Sequence, residues 1–161
     1  MQEAAATHDD EAPLERAIAL ATESASRAGG PFGAVVVTAD GRAFEGTNQV
    51  TSTNDPTAHG EVMAIRTACA ELGVFDLSGA VLYTSCEPCP MCLAAALWAR
   101  IDRVVFAADR HDAAAAGFDD AEFYAYFETA DRSRMPVRQH QIDSRVAPFD
   151  AWRANASRID Y

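Results

Sequence analysis

The stretch Thr84–Arg100, T-S-C-E-P-C-P-M-C-L-A-A-A-L-W-A-R, constrains the fold more than any other part of the 161-residue chain. A short apolar run, Ala80–Thr84, leads straight into it, and an unbroken Ala- and Leu-rich run follows. Pro88 and Pro90 flank Cys89, and proline suits the first turn of a helix, where its missing N–H costs nothing. The segment therefore predicts a strand, a sharp loop and a helix that starts near Cys89. Cys89 and Cys92 are three residues apart, so a helix presents both sulfurs on one face. The positive end of the helix dipole favours their thiolate forms there.

Two thiolates alone do not hold a catalytic zinc, so further ligands must come from elsewhere in the chain. His59-Gly60-Glu61 lies upstream. H-x-E followed by P-C-x-x-C is the pattern of zinc-dependent base deaminases. Either half alone is weak, since a lone His or Glu is most often an ordinary structural residue. The two in this order are far more specific. Glu61 is two residues beyond His59, so on a helix flank their side chains diverge by about 200°; they can share a site only beyond the helix tip. Cys86 complicates the ligand set, because C-E-P-C-P-M-C contains two overlapping C-x-x-C pairs. Cys86 is expected on the loop leaving the strand, apart from the helical pair. The rival arrangement is a closed structural zinc on all three thiols and His59, with no open position for water and no role for Glu61.

Charge narrows the choice of partner. Thirteen basic residues against 24 acidic ones give −11, and every basic residue is Arg. Without Lys there is no Schiff-base chemistry and no Walker-type phosphate loop. The acidic balance opposes non-specific binding to nucleic acid. A small neutral substrate fits better than a polynucleotide. No stretch approaches the ~20 apolar residues needed to span a bilayer. The opening M-Q-E-A-A-A-T-H-D-D-E-A lacks the basic and apolar parts of a secretory signal, so a cytoplasmic location is expected. In that reducing setting, three Cys within seven residues point to metal rather than disulfides.

Taken in order, residues 1–12 read as a disordered acidic tail and 13–161 as one domain. A helix is expected over Pro13–Ala28, stopped by Gly29-Gly30. The strand Ala34–Val37 turns at Asp40-Gly41 and pairs with Arg42–Asn48. A second helix spans Thr57–Leu72 and is followed by strands at Ala80–Thr84 and Arg103–Ala107. Asp109–Asp120 reads as a loop, Ala121–Thr129 as a helix, Val137–Ile142 as an edge strand and Phe149–Ser157 as a short helix. Strands alternating with helices after a hairpin imply a layered α/β domain with a mixed sheet.

P-F-G at 31–33, N-D-P-T-A-H-G-E at 54–61 and Y-T-S-C-E-P-C-P-M-C at 83–92 resemble the cytidine deaminase superfamily. H-D-A-A-A-A-G-F-D-D at 111–120 and P-F-D-A-W-R at 148–153 are similar to the bacterial guanine deaminases within it. The similarity runs from about Pro31 to Tyr161. It implies a three-layer α/β/α fold with a five-stranded mixed sheet, and a homodimer in which the C-terminal segment, about 148–161, closes the partner's pocket. It also implies His59, Cys89 and Cys92 as ligands of one zinc, with water as the fourth, and Glu61 as proton shuttle. Asn48 and the Gly60 backbone would hold the purine edge, Phe32 and Trp98 its faces. Asp120 would be a second carboxylate near the exocyclic amine, in competition with Asp112 and Asp119, and Tyr161 would reach in from the partner. Gly60 departs from the usual Ala between His and Glu. The implied reaction is hydrolysis of guanine to xanthine and ammonia. A nucleoside such as guanosine or cytidine, or another aminated heterocycle, is the enzymatic alternative; a tRNA-editing adenosine deaminase and a non-catalytic zinc module are the others.

Overall fold

The computed structural model describes residues 8–161. Helix α1 (His8–Ala25) is followed by the hairpin β1 (Gly33–Val37) and β2 (Ala43–Thr47). Gly41 makes the hairpin turn at φ +86°, a left-handed conformation that favours glycine. The short α2 (Val50–Thr53) precedes α3 (Gly60–Leu72), β3 (Val81–Cys86), α4 (Pro90–Trp98) and β4 (Arg103–Ala108). Then come α5 (Arg110–Ala115), α6 (Ala121–Glu128), a 3₁₀ turn at Asp143–Val146 and α7 (Ala147–Ala154). The chain divides into two compact units, up to Ala125 and from Tyr126 to Tyr161.

In the first unit the strand order is β2-β1-β3-β4. β1 is antiparallel to both neighbours, while β3 and β4 are parallel. The sheet is mixed, as the alternating pattern predicts, but among the described residues it has four strands and not five. Residues 137–142 form no strand. V-R-Q-H-Q-I has one apolar residue at each end and four polar residues between, too little to bury against a sheet face.

Side-chain alternation along β1 sends the sheet two ways. Ala34 and Val36, with Leu82 of β3 and Phe44 of β2, pack against Ala64, Ile65 and Ala68 of α3 and Ala96 of α4. Val35 faces Ala17 and Leu20 of α1 on the opposite side. Two glycines let the helices lie this close. A Cβ on Gly46 would stand 2.3 Å from the backbone nitrogen of Ala64, and one on Gly33 2.5 Å from the carbonyl of Ala17. Leu82 is fully enclosed, and burying such a side chain is worth roughly 1.5–3 kcal/mol.

Residues 8–12, expected in the tail, belong to α1 instead. The reason is Asp10. Its buried carboxylate accepts from Tyr83 Oη at 2.7 Å and from Arg103 Nη1 and Nη2 at 2.7 and 2.8 Å. That bidentate pair ties the helix start to β3 and β4. Residues 1–7 lie outside the described residues. The expected loop after Asp109 also contains a helix, α5. Asp109 accepts from His111 N and Asp112 N, and Asp112 accepts from Asp109 N, forming a complete capping box.

The second unit has no buried side chain. Within it Tyr126 Oη donates to the Met135 carbonyl at 2.9 Å, and the Arg132 guanidinium lies over the Tyr126 ring. A segment without a core of its own is not a separate domain in the folding sense. No described helix is long and apolar enough to cross a membrane.

Candidate active site

Two helix starts meet at the carboxyl end of β3. His59 is the N-cap of α3 and Cys89 the N-cap of α4, both with extended backbone, and Cys92 lies in the first turn of α4. Pro90 opens α4 as its sequence position predicts. His59 Nδ1 lies 3.7 Å from Cys89 Sγ and 3.5 Å from Cys92 Sγ, and the two sulfurs are 3.7 Å apart. Bond lengths of about 2.3 Å to sulfur and about 2.0 Å to nitrogen around a tetrahedral zinc require S···S near ~3.8 Å and N···S near ~3.5 Å. The three donors therefore already stand at the spacing of three corners of a zinc tetrahedron. Among the described residues they are the one such cluster.

The local electrostatics suit a cation. Burial pushes the Glu61 carboxyl up, and Cys89 lies close enough to push it further. The contact between the two sulfurs pulls the Cys89 thiol down and, with burial, pushes Cys92 up. The hydrogen bond to Cys89 raises His59 against the opposing effect of burial. Metal ligation would need both thiols deprotonated, so binding a dication there would release protons. Cys86 is not in the cluster. Its Sγ contacts the Asp109 carbonyl at 3.7 Å, and burial pushes its thiol up to about 11.

Beside the trio lies a pocket of about 290 Å³, at the small end of the ligand-pocket range. His59, Glu61 and Cys89 line it together with Phe32, Asn48, Glu87, Phe118, Asp119, Asp120 and Phe123. Glu61 is 6% exposed, so both members of H-x-E do reach one site from the tip of α3. Asn48 Oδ1 accepts from Val50 N at 3.2 Å, which fixes its carboxamide. Gly60 backs against this wall, where a Cβ would meet the Phe32 carbonyl at 3.2 Å.

Of the three competing aspartates, Asp112 caps α5 and Asp119 and Asp120 line the pocket. Asp120 Oδ1 is fully buried with no hydrogen-bond partner among the described residues, and burial raises its carboxyl. Trp98 is elsewhere. It ends α4 with 64% of its surface exposed, 5.9 Å from the Arg100 guanidinium. The aromatic wall is instead Phe32 with Phe118, whose rings meet edge to face at 4.7 Å, together with Phe123. Phe118 stood within G-F-D-D in the sequence, next to Gly117, which turns at φ +98°. Tyr161 belongs to the second unit, where its ring meets Trp152 edge-on at 6.3 Å.

A half-buried His and two buried Cys at zinc spacing, with a buried carboxylate beside a small pocket, define a metal-dependent hydrolytic site. Residues 7–108 match the family described as cytidine and deoxycytidylate deaminase zinc-binding region, and the chain belongs to that family. It is 49% identical over 150 residues to guanine deaminase of Bacillus subtilis (strain 168), covering 92% of this chain and 96% of that one. The X-ray structure of guanine deaminase from Bacillus subtilis superposes with a TM-score of 0.89 at 48% identity, over 97% of this chain and 99% of that chain. Similarity to a guanine deaminase from Nitrosomonas europaea is lower: TM-score 0.64 and 35% identity over 68% of this chain and 64% of that one. A tRNA-specific adenosine deaminase of Agrobacterium fabrum is 44% identical over 96 residues, 59% of this chain and 62% of that one.

Proposed function

We propose that the chain deaminates guanine hydrolytically to xanthine and ammonia, with His59, Cys89 and Cys92 holding one zinc. The observation that carries the substrate choice is Asp120, which lines the pocket and whose buried Oδ1 has no hydrogen-bond partner among the described residues. A carboxylate there can accept from an amine and an adjacent ring N–H, an edge that guanine presents and adenine does not. The relatives support the same substrate, the Bacillus subtilis guanine deaminase above all.

Bound at the trio, zinc would acidify water enough for hydroxide to form near neutrality. Glu61, buried and inclined to hold a proton, takes it from that water as oxygen adds to the C2 carbon. It passes the proton to the neighbouring ring nitrogen. A second transfer, of the new C2 hydroxyl's proton to the amine with Asp120 beside it, releases ammonia as the C2–N bond breaks and the C2 carbonyl forms. Phe32, Phe118 and Phe123 offer the flat ring apolar faces, and Asn48 and the Gly60 backbone stand at its edge.

Transfer-RNA deamination is the competing reading, favoured by the identity to the Agrobacterium enzyme. Against it, four carboxylates and no arginine line the pocket, and the chain carries −11. The test is ammonia release from guanine, guanosine, adenine, cytidine and an RNA hairpin. Guanine should lead adenine and cytidine by on the order of 10²-fold or more, since a site built to pair a donor edge rejects rings lacking it. Guanosine turned over as fast as guanine would overturn the free-base choice, and cytidine as best substrate the purine assignment.

The assembly we infer is a homodimer exchanging residues of about 148–161. Phe149, Trp152, Ile159 and Tyr161 are all exposed, as are Leu97 and Trp98 of α4, apolar side chains that a partner subunit would cover. A chain truncated before Tyr161, mixed with a Glu61→Gln chain, should regain activity. One pocket of the swapped pair then keeps its own Glu61 and receives an intact tail. Confirmed mixed dimers without activity would exclude the exchange.

A further inference from the structure

The two residues before Cys89 are held from two sides. Glu87 accepts from Arg110 N at 2.9 Å, Nε at 3.1 Å and Nη2 at 2.7 Å. Tyr124 Oη donates to the carbonyl of Pro88, whose peptide contains the Cys89 nitrogen. The same Arg110 guanidinium lies 3.6 Å above the Tyr124 ring. Glu87 and Pro88, Arg110 and Tyr124 thus form a closed ring of contacts around the residue that carries the Cys89 sulfur. Tyr124 is buried, and Glu87 nearly so.

The two anchors come from particular places. Arg110 opens α5 and Tyr124 lies in α6. Between those helices the chain makes the turn Gly117–Asp120, which supplies Phe118, Asp119 and Asp120 to the pocket. The clamp therefore joins the ligand loop after β3 to the opposite wall of the same pocket.

We propose that Tyr124 and Arg110 are positioning residues: they set the orientation of the Pro88–Cys89 peptide, and through it of the Cys89 sulfur, for metal binding, and they tie that geometry to the Phe118–Asp120 wall. The proposal rests on the zinc reading of His59, Cys89 and Cys92. Outer partners that aim a ligand change metal affinity or activity by about 10–100-fold when removed. Arg is needed here as a flat fork, since it must bond a carboxylate in two places along its edge while stacking on a ring with its face; the point charge of Lys cannot do both at once.

The test uses the full chain and two readouts, the zinc dissociation constant by competition with a chromophoric chelator and kcat against KM for guanine at saturating zinc. Tyr124→Phe, which keeps the ring under Arg110, should weaken zinc by about 10-fold or more. It should lower kcat with little change in KM. Arg110→Lys should do the same, because it loses the bidentate pairing to Glu87 and the planar face on Tyr124. Tyr83→Phe is the control: it deletes a comparable buried hydroxyl hydrogen bond, to Asp10 of α1, that touches neither the metal ligands nor the pocket lining. It should lower the thermal midpoint and leave zinc affinity intact. Wild-type zinc affinity and kcat in Tyr124→Phe would overturn the proposal, and so would equal zinc weakening in Tyr83→Phe, which would reduce the clamp to general stability. Wild-type protein that takes up no zinc would instead remove the metal reading beneath it.

Discussion

Glu61→Gln should leave zinc uptake intact while turnover falls by about 10²–10⁴-fold, the usual worth of a positioned acid–base group. The substitution is nearly isosteric at a 6% exposed side chain, so packing should survive. What it removes is the capacity to accept a proton from water and return it. Glutamine can hold a hydrogen bond but cannot carry that charge. Zinc content by elemental analysis and steady-state rates for guanine check both halves. Lost zinc would make Glu61 a ligand, and retained turnover would move the shuttle to Asp120.

Replacing the sulfurs one at a time should separate them into two kinds. Cys89→Ala and Cys92→Ala should lose both zinc and activity, because two donors remain where the tetrahedron needs three. Cys86→Ala should keep the metal and most of the activity. Its thiol points at the Asp109 carbonyl and holds its proton to about 11, so it is neither placed nor charged to ligate. Equal zinc loss in all three would restore the closed site with four protein ligands.

The metal trio was legible because its information is local: a strand running into a proline-flanked Cys at a helix start, and an H-x-E at another. The layered α/β fold followed from alternation in the same way. Trp98 is nine residues beyond Cys89, about 13 Å along a helix axis, and is not among the residues that line the pocket of its own chain. Phe118 takes a place beside Phe32 because Gly117 turns the chain there, a tertiary event with no periodic signature. Asp120 could not be separated from Asp112 by residue type, only by surroundings: Asp112 belongs to the capping box of α5, while Asp120 lines the pocket with a buried, unpartnered oxygen. Likewise Asp10 gave no hint in sequence that it would extend α1, since its partners Tyr83 and Arg103 are more than seventy residues away.

His59 and Cys89 both occupy N-cap positions, and neither side chain makes a capping hydrogen bond. A helix start ordinarily gives that place to Ser, Thr, Asp or Asn, a choice worth about 1 kcal/mol over residues that cannot cap. Here two adjoining helices forgo it at once. Heat resistance and turnover therefore compete for the same two backbone positions, and a screen for stability alone, run without metal, selects against the ligands themselves.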